Sequence, residues 1–263
     1  VDRLPITDGT YRTDARAAGC LARRCPTLVF YLRVSWIVFS AAARARRGRY
    51  DYAEWCRSSL DTIRALERSG VRVEMTGLEH VAALTGPCVF IGNHMSTLET
   101  FTLPGTLVPI LPITFVVKQS LVDYPVFGHV MRSRDPITVG RTNPREDLKA
   151  VLEGGAARLA RGISIVIFPQ TTRTALFDPA AFNSIGVKLA KRAEVPIIPI
   201  ALKTDAWGNG RLAKDYGRID PSRTAHFAFR PPLTVTGRGD AAHEEIIRFI
   251  TRHLAAWGGA ITV

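Results

Sequence analysis

Hydrophobic and polar positions follow three different patterns along this chain of 263 residues. Residues 1–25 are polar, rich in Arg and weakly patterned, which predicts a loose arm. Residues 27–43, TLVFYLRVSWIVFSAAA, are nearly all apolar, with Arg23 and Arg24 before them and Arg44, Arg46, Arg47 and Arg49 after. A membrane-spanning helix needs roughly 20 clean apolar residues. This run is shorter, and Arg33 stands in its middle. Wound as a helix, it places Val29, Leu32, Trp36, Phe39 and Ala43 on one stripe and Arg33, Ser40, Arg44 and Arg47 towards the other side. Such a helix suits the membrane interface, its Arg heads reaching lipid phosphates; packing on the domain's own core is the alternative the pattern leaves open. Residues 50–69 repeat at helical spacing, with Trp55, Leu60, Ile63 and Leu66 as apolar members.

From residue 71 the period shortens. β-rich runs occur at 71–75, 88–92, 113–117, 137–139, 163–168, 197–202 and 226–229. Helical stretches at 144–161, 183–193 and 240–257 lie between or after them; Asn143 can cap the first, and Pro144 suits its first turn. Strands alternating with helices predict an α/β fold: a central mixed sheet of about seven strands flanked by helices. The expected organisation is residues 1–70 as arm and helical membrane-docking element, and 71–263 as the α/β domain.

Charge narrows the partners. Thirty-five Lys and Arg against 23 Asp and Glu give a net +12. That excess points to an anionic partner: nucleic acid, anionic lipid or a phosphorylated substrate. No helix-turn-helix, zinc or RNA-binding pattern supports nucleic acid, and the apolar helix favours lipid. Cys20, Cys25, Cys56 and Cys88 form no CxxC pair and the histidines have no metal spacing, so buried reduced thiols and no metal are expected. No charged region, apolar region and A-x-A site line up at the start, so no cleavable leader is expected.

Two segments carry the chemistry. In IGNHMSTLET, 91–100, His94 follows a strand end and Glu99 lies five residues on. Ligands of open α/β sheets collect outside the carboxyl ends of strands. A helix starting near Ser96 lets Glu99 fold back onto a ring nitrogen of His94, fixing its tautomer while the other nitrogen takes a proton from a hydroxyl. In IVIFPQTTRT, 165–174, a buried strand runs into a polar loop with Thr171, Thr172 and Arg173. An Arg there can fork onto a phosphate, helped by hydroxyls and backbone N–H groups. Lys118 and Arg141 sit at strand ends on either side of a basic block that includes Arg132 and Arg134. VPIIPIAL, 195–202, reads as a buried strand interrupted by Pro199, and Lys203, Asp205 and Trp207 follow just past its end.

In this order and spacing, NHxxxxE, K…P..G…I.VGR, FPxxTR and VPIIP resemble the glycerolipid acyltransferase family of the lysophosphatidic acid acyltransferase type, over about residues 71–235. The resemblance implies His94 as general base, Glu99 in place of the usual Asp, Arg173 as phosphate-binding residue with Lys118 and Arg141 beside it, and VPIIP shaping the acyl pocket. It implies no bound cofactor: acyl-CoA or an acyl-carrier-protein thioester is the donor, a lysolipid the acceptor, and the cytoplasmic face of an anionic membrane the location. The departures are Glu99, Gln170-Thr171 for Glu-Gly, and Ser184-Ile185 for a basic pair. They leave open a different acceptor hydroxyl, on a lyso-aminolipid, a glycolipid or a secondary metabolite; a non-catalytic lipid binder is a further alternative, against which His94, Glu99 and Arg173 argue. Oxyanion donors are expected among backbone N–H groups of 92–96 or of 171–172.

Overall fold

The computed structural model describes residues 3–14, 19–170, 172–210 and 215–262. The chain begins with β1 (Tyr11–Arg12), α1 (Cys20–Arg24), α2 (Pro26–Arg46) and α3 (Tyr52–Arg68). It continues through β2 (Val73–Thr76), α4 (Leu78–Ala82), β3 (Val89–Gly92), α5 (Leu98–Leu107), β4 (Ile113–Lys118), α6 (Gln119–Val122), α7 (Phe127–Arg132) and β5 (Ile137–Val139). The remainder is α8 (Pro144–Leu159), β6 (Ser164–Ile167), β7 (Leu176–Phe177), α9 (Ile185–Ala193), β8 (Ile197–Lys203), β9 (Ala225–Phe229), α10 (Asp240–Ala256) and β10 (Ala260–Ile261).

All seven expected strands lie in one sheet of order β1-β2-β9-β8-β3-β6-β4-β5. Its ladders are parallel except β1 with β2 and β8 with β9. β3, β6 and β8 are buried throughout. Buried on both faces, they read as unbroken apolar runs rather than as alternations. Phe90, Val166, Ile198 and Ile200 face a core shared with α2, α3, α5 and α7. Val89, Ile91, Ile165 and Ile167 face the opposite core, shared with α8, α9 and α10. Pro199 does not interrupt β8. It pairs with Ile91, and its carbonyl accepts from Arg230 N–H, where the β9 ladder has already stopped. A proline is tolerated where the ladder needs no donor.

The eighth strand corrects the expected loose arm. Tyr11 and Arg12 pair with Met75 and Glu74. Thr13 N–H donates to Val73 O at 3.0 Å, and the Thr13 hydroxyl donates to Glu67 at 2.7 Å. The segment before residue 71 also contributes to the core: Trp55, Leu60, Ile63 and Leu66 are all buried. α3 lies so close to α5 that a Cβ on Gly105 would meet Ser59 Oγ at 2.9 Å and Leu60 N at 3.0 Å. Asp51 caps α3 by accepting from Glu54 N–H, and Asn143 caps α8 as expected. Cys56 and Cys88 are buried, but Cys25 is exposed.

α2 has two apolar faces. Phe30, Val34, Ala41 and Ala42 are buried against the domain, so the packing alternative holds for this inner face. Leu28, Leu32, Trp36 and Phe39 point outwards, Trp36 with 76% of its surface exposed. Fully burying a side chain such as Phe30 contributes about 1.5–3 kcal/mol to folding. The outward stripe gains nothing of that kind. α2 is long and apolar enough to cross a membrane by length and composition alone.

Candidate active site

The site forms where β3 ends. Asn93 is buried beyond the strand; its Nδ2 donates to Leu202 O at 2.7 Å and its Oδ1 accepts from Leu202 N–H at 2.8 Å. These two bonds imitate a sheet rung and fix the next residue in space. That residue is His94. Its Nδ1 lies 2.9 Å from Glu99 Oε1, and its ring stacks on Phe168 with centroids 4.5 Å apart and planes at 6°. With Nδ1–H donating to the carboxylate, Nε2 on the other edge of the ring is the basic nitrogen that meets the cleft.

Glu99 stands in the first turn of α5 and is completely buried. Its Oε1 also accepts from Met95 N–H at 2.7 Å and Ser96 N–H at 3.0 Å. Its Oε2 accepts from the hydroxyls of Thr204 at 2.6 Å and Ser96 at 3.1 Å. Burial pushes the carboxyl pKa up. The hydrogen bond and charge of His94, with the Thr204 hydroxyl, outweigh burial and hold it below the usual carboxylate range. An ionised partner keeps His94 in the right tautomer and stabilises the imidazolium it becomes.

Two further loops complete the site. Gln170, at the place of the unusual QT pair, is buried and accepts from His94 N–H at 2.7 Å. Thr174 N–H donates to His94 O at 3.1 Å, which ties the FPQTTR loop to the histidine. Arg173 donates to the Thr97 hydroxyl and pairs with Asp215 at 2.6 Å. Arg141 has a left-handed backbone, φ 61°, held by the Asp147 carboxylate, which accepts from Gly140 N–H at 2.8 Å and Arg141 N–H at 2.9 Å. Partial burial and the nearby charge of Arg173 lower the Arg141 pKa.

His94, Lys118, Arg141, Thr172 and Arg173 line one cleft of about 520 Å³. All the expected site residues are thus gathered here except Glu99, which lies behind His94, and Thr171, which falls outside the described residues. Lys203 is the last residue of β8 rather than past its end and pairs with Asp205 at 3.0 Å, away from the cleft, whereas Trp207 lines it. None of residues 195–199 lines the cleft or the smaller cavity beside it, so the VPIIP strand serves as core rather than as pocket wall. That smaller cavity, about 90 Å³, is closed by Ile37, Val38 and Ala41 of α2 with Trp55, Phe115 and Val130. It shares Val38, Thr100, Phe101, Leu121 and Phe127 with the cleft.

The backbone narrows the search for oxyanion donors. The N–H groups of His94, Met95 and Ser96 are already bonded to Gln170 and Glu99, which removes them as donors. Thr204, Gln170 and Asp215 escape the motif reading. Gln170 was visible only as a departure, and Thr204 meets Glu99 from 105 residues away. Among the described residues no group of three or more His, Cys, Asp or Glu could hold a metal ion.

The family profile "Acyltransferase" matches residues 72–203, about half of the chain. A 1-acyl-sn-glycerol-3-phosphate acyltransferase of Pseudomonas aeruginosa is 31% identical over 231 residues, 84% of this chain and 85% of that one. A protein of the same name from Limnanthes alba is 27% identical over 143 residues, 54% of this chain and about half, 49%, of the plant protein. The crystal structure of the 1-acyl-sn-glycerophosphate acyltransferase from Thermotoga maritima superposes with a TM-score of 0.65 at 16% identity, covering 88% of this chain and 94% of that one, and so shares the fold. With the profile on the segment that carries His94, Glu99 and Arg173, and a relative matched over most of both lengths, this chain belongs to the acyltransferase family and is an acyltransferase.

Proposed function

We propose that this enzyme works at a membrane surface, transferring a fatty acyl group from an acyl-CoA or acyl-carrier-protein thioester to the hydroxyl of a lysophospholipid of the lysophosphatidic acid kind. The observation that carries the reading is the 2.9 Å contact of His94 with a fully buried Glu99, at the wall of a cleft that also presents Arg173, Lys118 and Arg141. The names of the relatives support the acceptor class.

His94 Nε2 removes the acceptor hydroxyl's proton as that oxygen attacks the thioester carbonyl. The tetrahedral intermediate collapses, the C–S bond breaks, and the imidazolium returns the proton to the leaving thiolate. Arg173 holds the acceptor phosphate, with Lys118, Arg141 and Thr172 beside it, and Thr171 belongs to the same loop. The acyl chain runs along the apolar side of the cleft into the cavity behind α2. The outward stripe of α2 rests on the cytoplasmic leaflet of the cell membrane, and its flanking arginines meet anionic lipid.

The test is transfer of a labelled acyl thioester to lysolipids with and without phosphate. His94→Ala should lower kcat by about 10²–10⁴, the usual contribution of a positioned base. Full activity in that variant would remove His94 as the base.

A further inference from the structure

The smaller cavity has one charged residue in its lining, Arg134. The sequence groups it with a basic block, but its side chain is packed and half-buried. The guanidinium lies 5.5, 5.1 and 5.7 Å from the ring centres of Tyr50, Tyr52 and Trp55 and donates to Tyr50 O. The turn that carries it is held as firmly. Asp135 stands at φ 48°, a left-handed backbone that persists only where the surroundings enforce it. Arg158 donates to Asp135 O at 2.8 Å and to its Oδ1 at 2.6 Å, Arg161 donates to Oδ2 at 3.2 Å, and the Thr114 hydroxyl donates to Arg134 O at 2.8 Å. Thr114 is the second residue of β4; Lys118, which lines the cleft, is its last. Four residues of strand set them about 13 Å apart. Phe115 and Val117, between them, line the cavity, whereas none of Tyr50, Trp55 and Arg134 lines the cleft. The cavity therefore descends along β4 from the cleft and ends on the Arg134 guanidinium.

We propose that Arg134 is a chain-length-determining residue: its guanidinium, fixed over three rings, is the stop against which the methyl end of the donor's acyl chain comes to rest. The proposal rests on the acyl-transfer reading above and names which donors it accepts. An apolar slot gains affinity with each methylene it covers. A methyl driven against the guanidinium gains no such contact and strips the cation of water, so binding stops improving there. A surface arginine would swing aside. Arg134 cannot do so without giving up its carbonyl partner and the cation–π attraction of the rings.

The experiment measures kcat/KM for saturated acyl-CoA donors of increasing length with one lysophosphatidic acid acceptor. Wild type is expected to gain with length up to a limit and to lose beyond it. Arg134→Ala should move that limit to longer chains, with about a fourfold gain for each methylene newly admitted. Arg134→Gln, shorter than arginine but still able to donate to Tyr50 O, should move it the same way by less. Arg134→Lys, which keeps the length and the charge, should leave it in place. An unchanged limit in Arg134→Ala and Arg134→Gln, or an equal loss at every length, overturns the proposal and leaves acyl transfer standing. A bromine on the last carbon of the donor reads the wild-type protein directly, whether or not the variants fold. At the limiting length it should quench the fluorescence of Trp55, a signal that Trp55→Phe removes, and a shorter labelled chain should not. Quenching that is the same at every length, or the same in Trp55→Phe, overturns Arg134 as the stop. No transfer from any donor fails the acyl-transfer reading itself, and the quenching then decides separately where a bound chain ends.

Discussion

A buried carboxylate is costly unless its oxygens are fully bonded. Glu99 meets that condition with His94, two backbone N–H groups and the hydroxyls of Ser96 and Thr204. Its pKa lies below its unfolded value of about 4.3. Its stabilisation is therefore complete above that value and is lost as pH falls through the folded one. Glu99→Gln should unfold more readily than wild type at neutral pH, by about 2 kcal/mol. Urea midpoints should converge as pH drops below the ordinary carboxylate range; a gap that stays constant with pH would mean that Glu99 is not ionised. Thr204 acts through Glu99 rather than on substrate. Thr204→Val should lower kcat by about tenfold with little change in KM, because one bond to the charged acceptor is lost; Thr204→Ser, which keeps the hydroxyl, should restore it. A KM effect without a kcat effect would place Thr204 elsewhere. His94 and Glu99 were legible because both lie in one turn of chain after a strand. Thr204 and Asp215 were not, because only the fold brings the end of β8 and the loop after it to the histidine.

At the level of elements, the seven strands were legible as β-rich runs, most plainly β3, β6 and β8, each an apolar run covered on both faces. β1 was not: Tyr11 and Arg12 have no pattern of their own and pair only because β2 offers an edge. α2 was half legible. Its outward stripe stood out as periodic apolar residues, while the inner face of Phe30, Val34 and Ala41 merged with it into one continuous run. That inner face bears on specificity, since Ala41 closes the small cavity adjoining the cleft. Ala41→Leu should fill part of the cavity and shift donor preference to shorter chains. Each methylene kept out of an apolar site loses about 0.8 kcal/mol. Excluding two should lower kcat/KM for the longest accepted chain roughly fifteenfold. An unchanged chain-length profile in an otherwise active variant would place the acyl chain outside this cavity.

Over the whole molecule, whose net charge is +12, two surface properties coincide at the N-terminal helices: the arginines Arg44, Arg46, Arg47 and Arg49 at and just beyond the end of α2 and an exposed apolar stripe that folding does not use. Charge alone acts at a distance and is screened within about 10 Å at ordinary salt. Apolar insertion needs contact and survives salt. If α2 docks the enzyme on its lipid substrate, the two contributions separate in one binding experiment. The Leu32→Glu, Trp36→Glu variant should bind anionic vesicles at least about tenfold more weakly, because each side chain contributes 1.5 kcal/mol or more when buried in lipid. Its thermal unfolding should stay close to wild type, since both side chains are exposed in the folded protein. Raising salt should weaken wild-type binding in part and nearly abolish what remains in the variant. Equal vesicle binding by the two proteins at high salt would remove the stripe from docking and leave the arginines as the sole attachment.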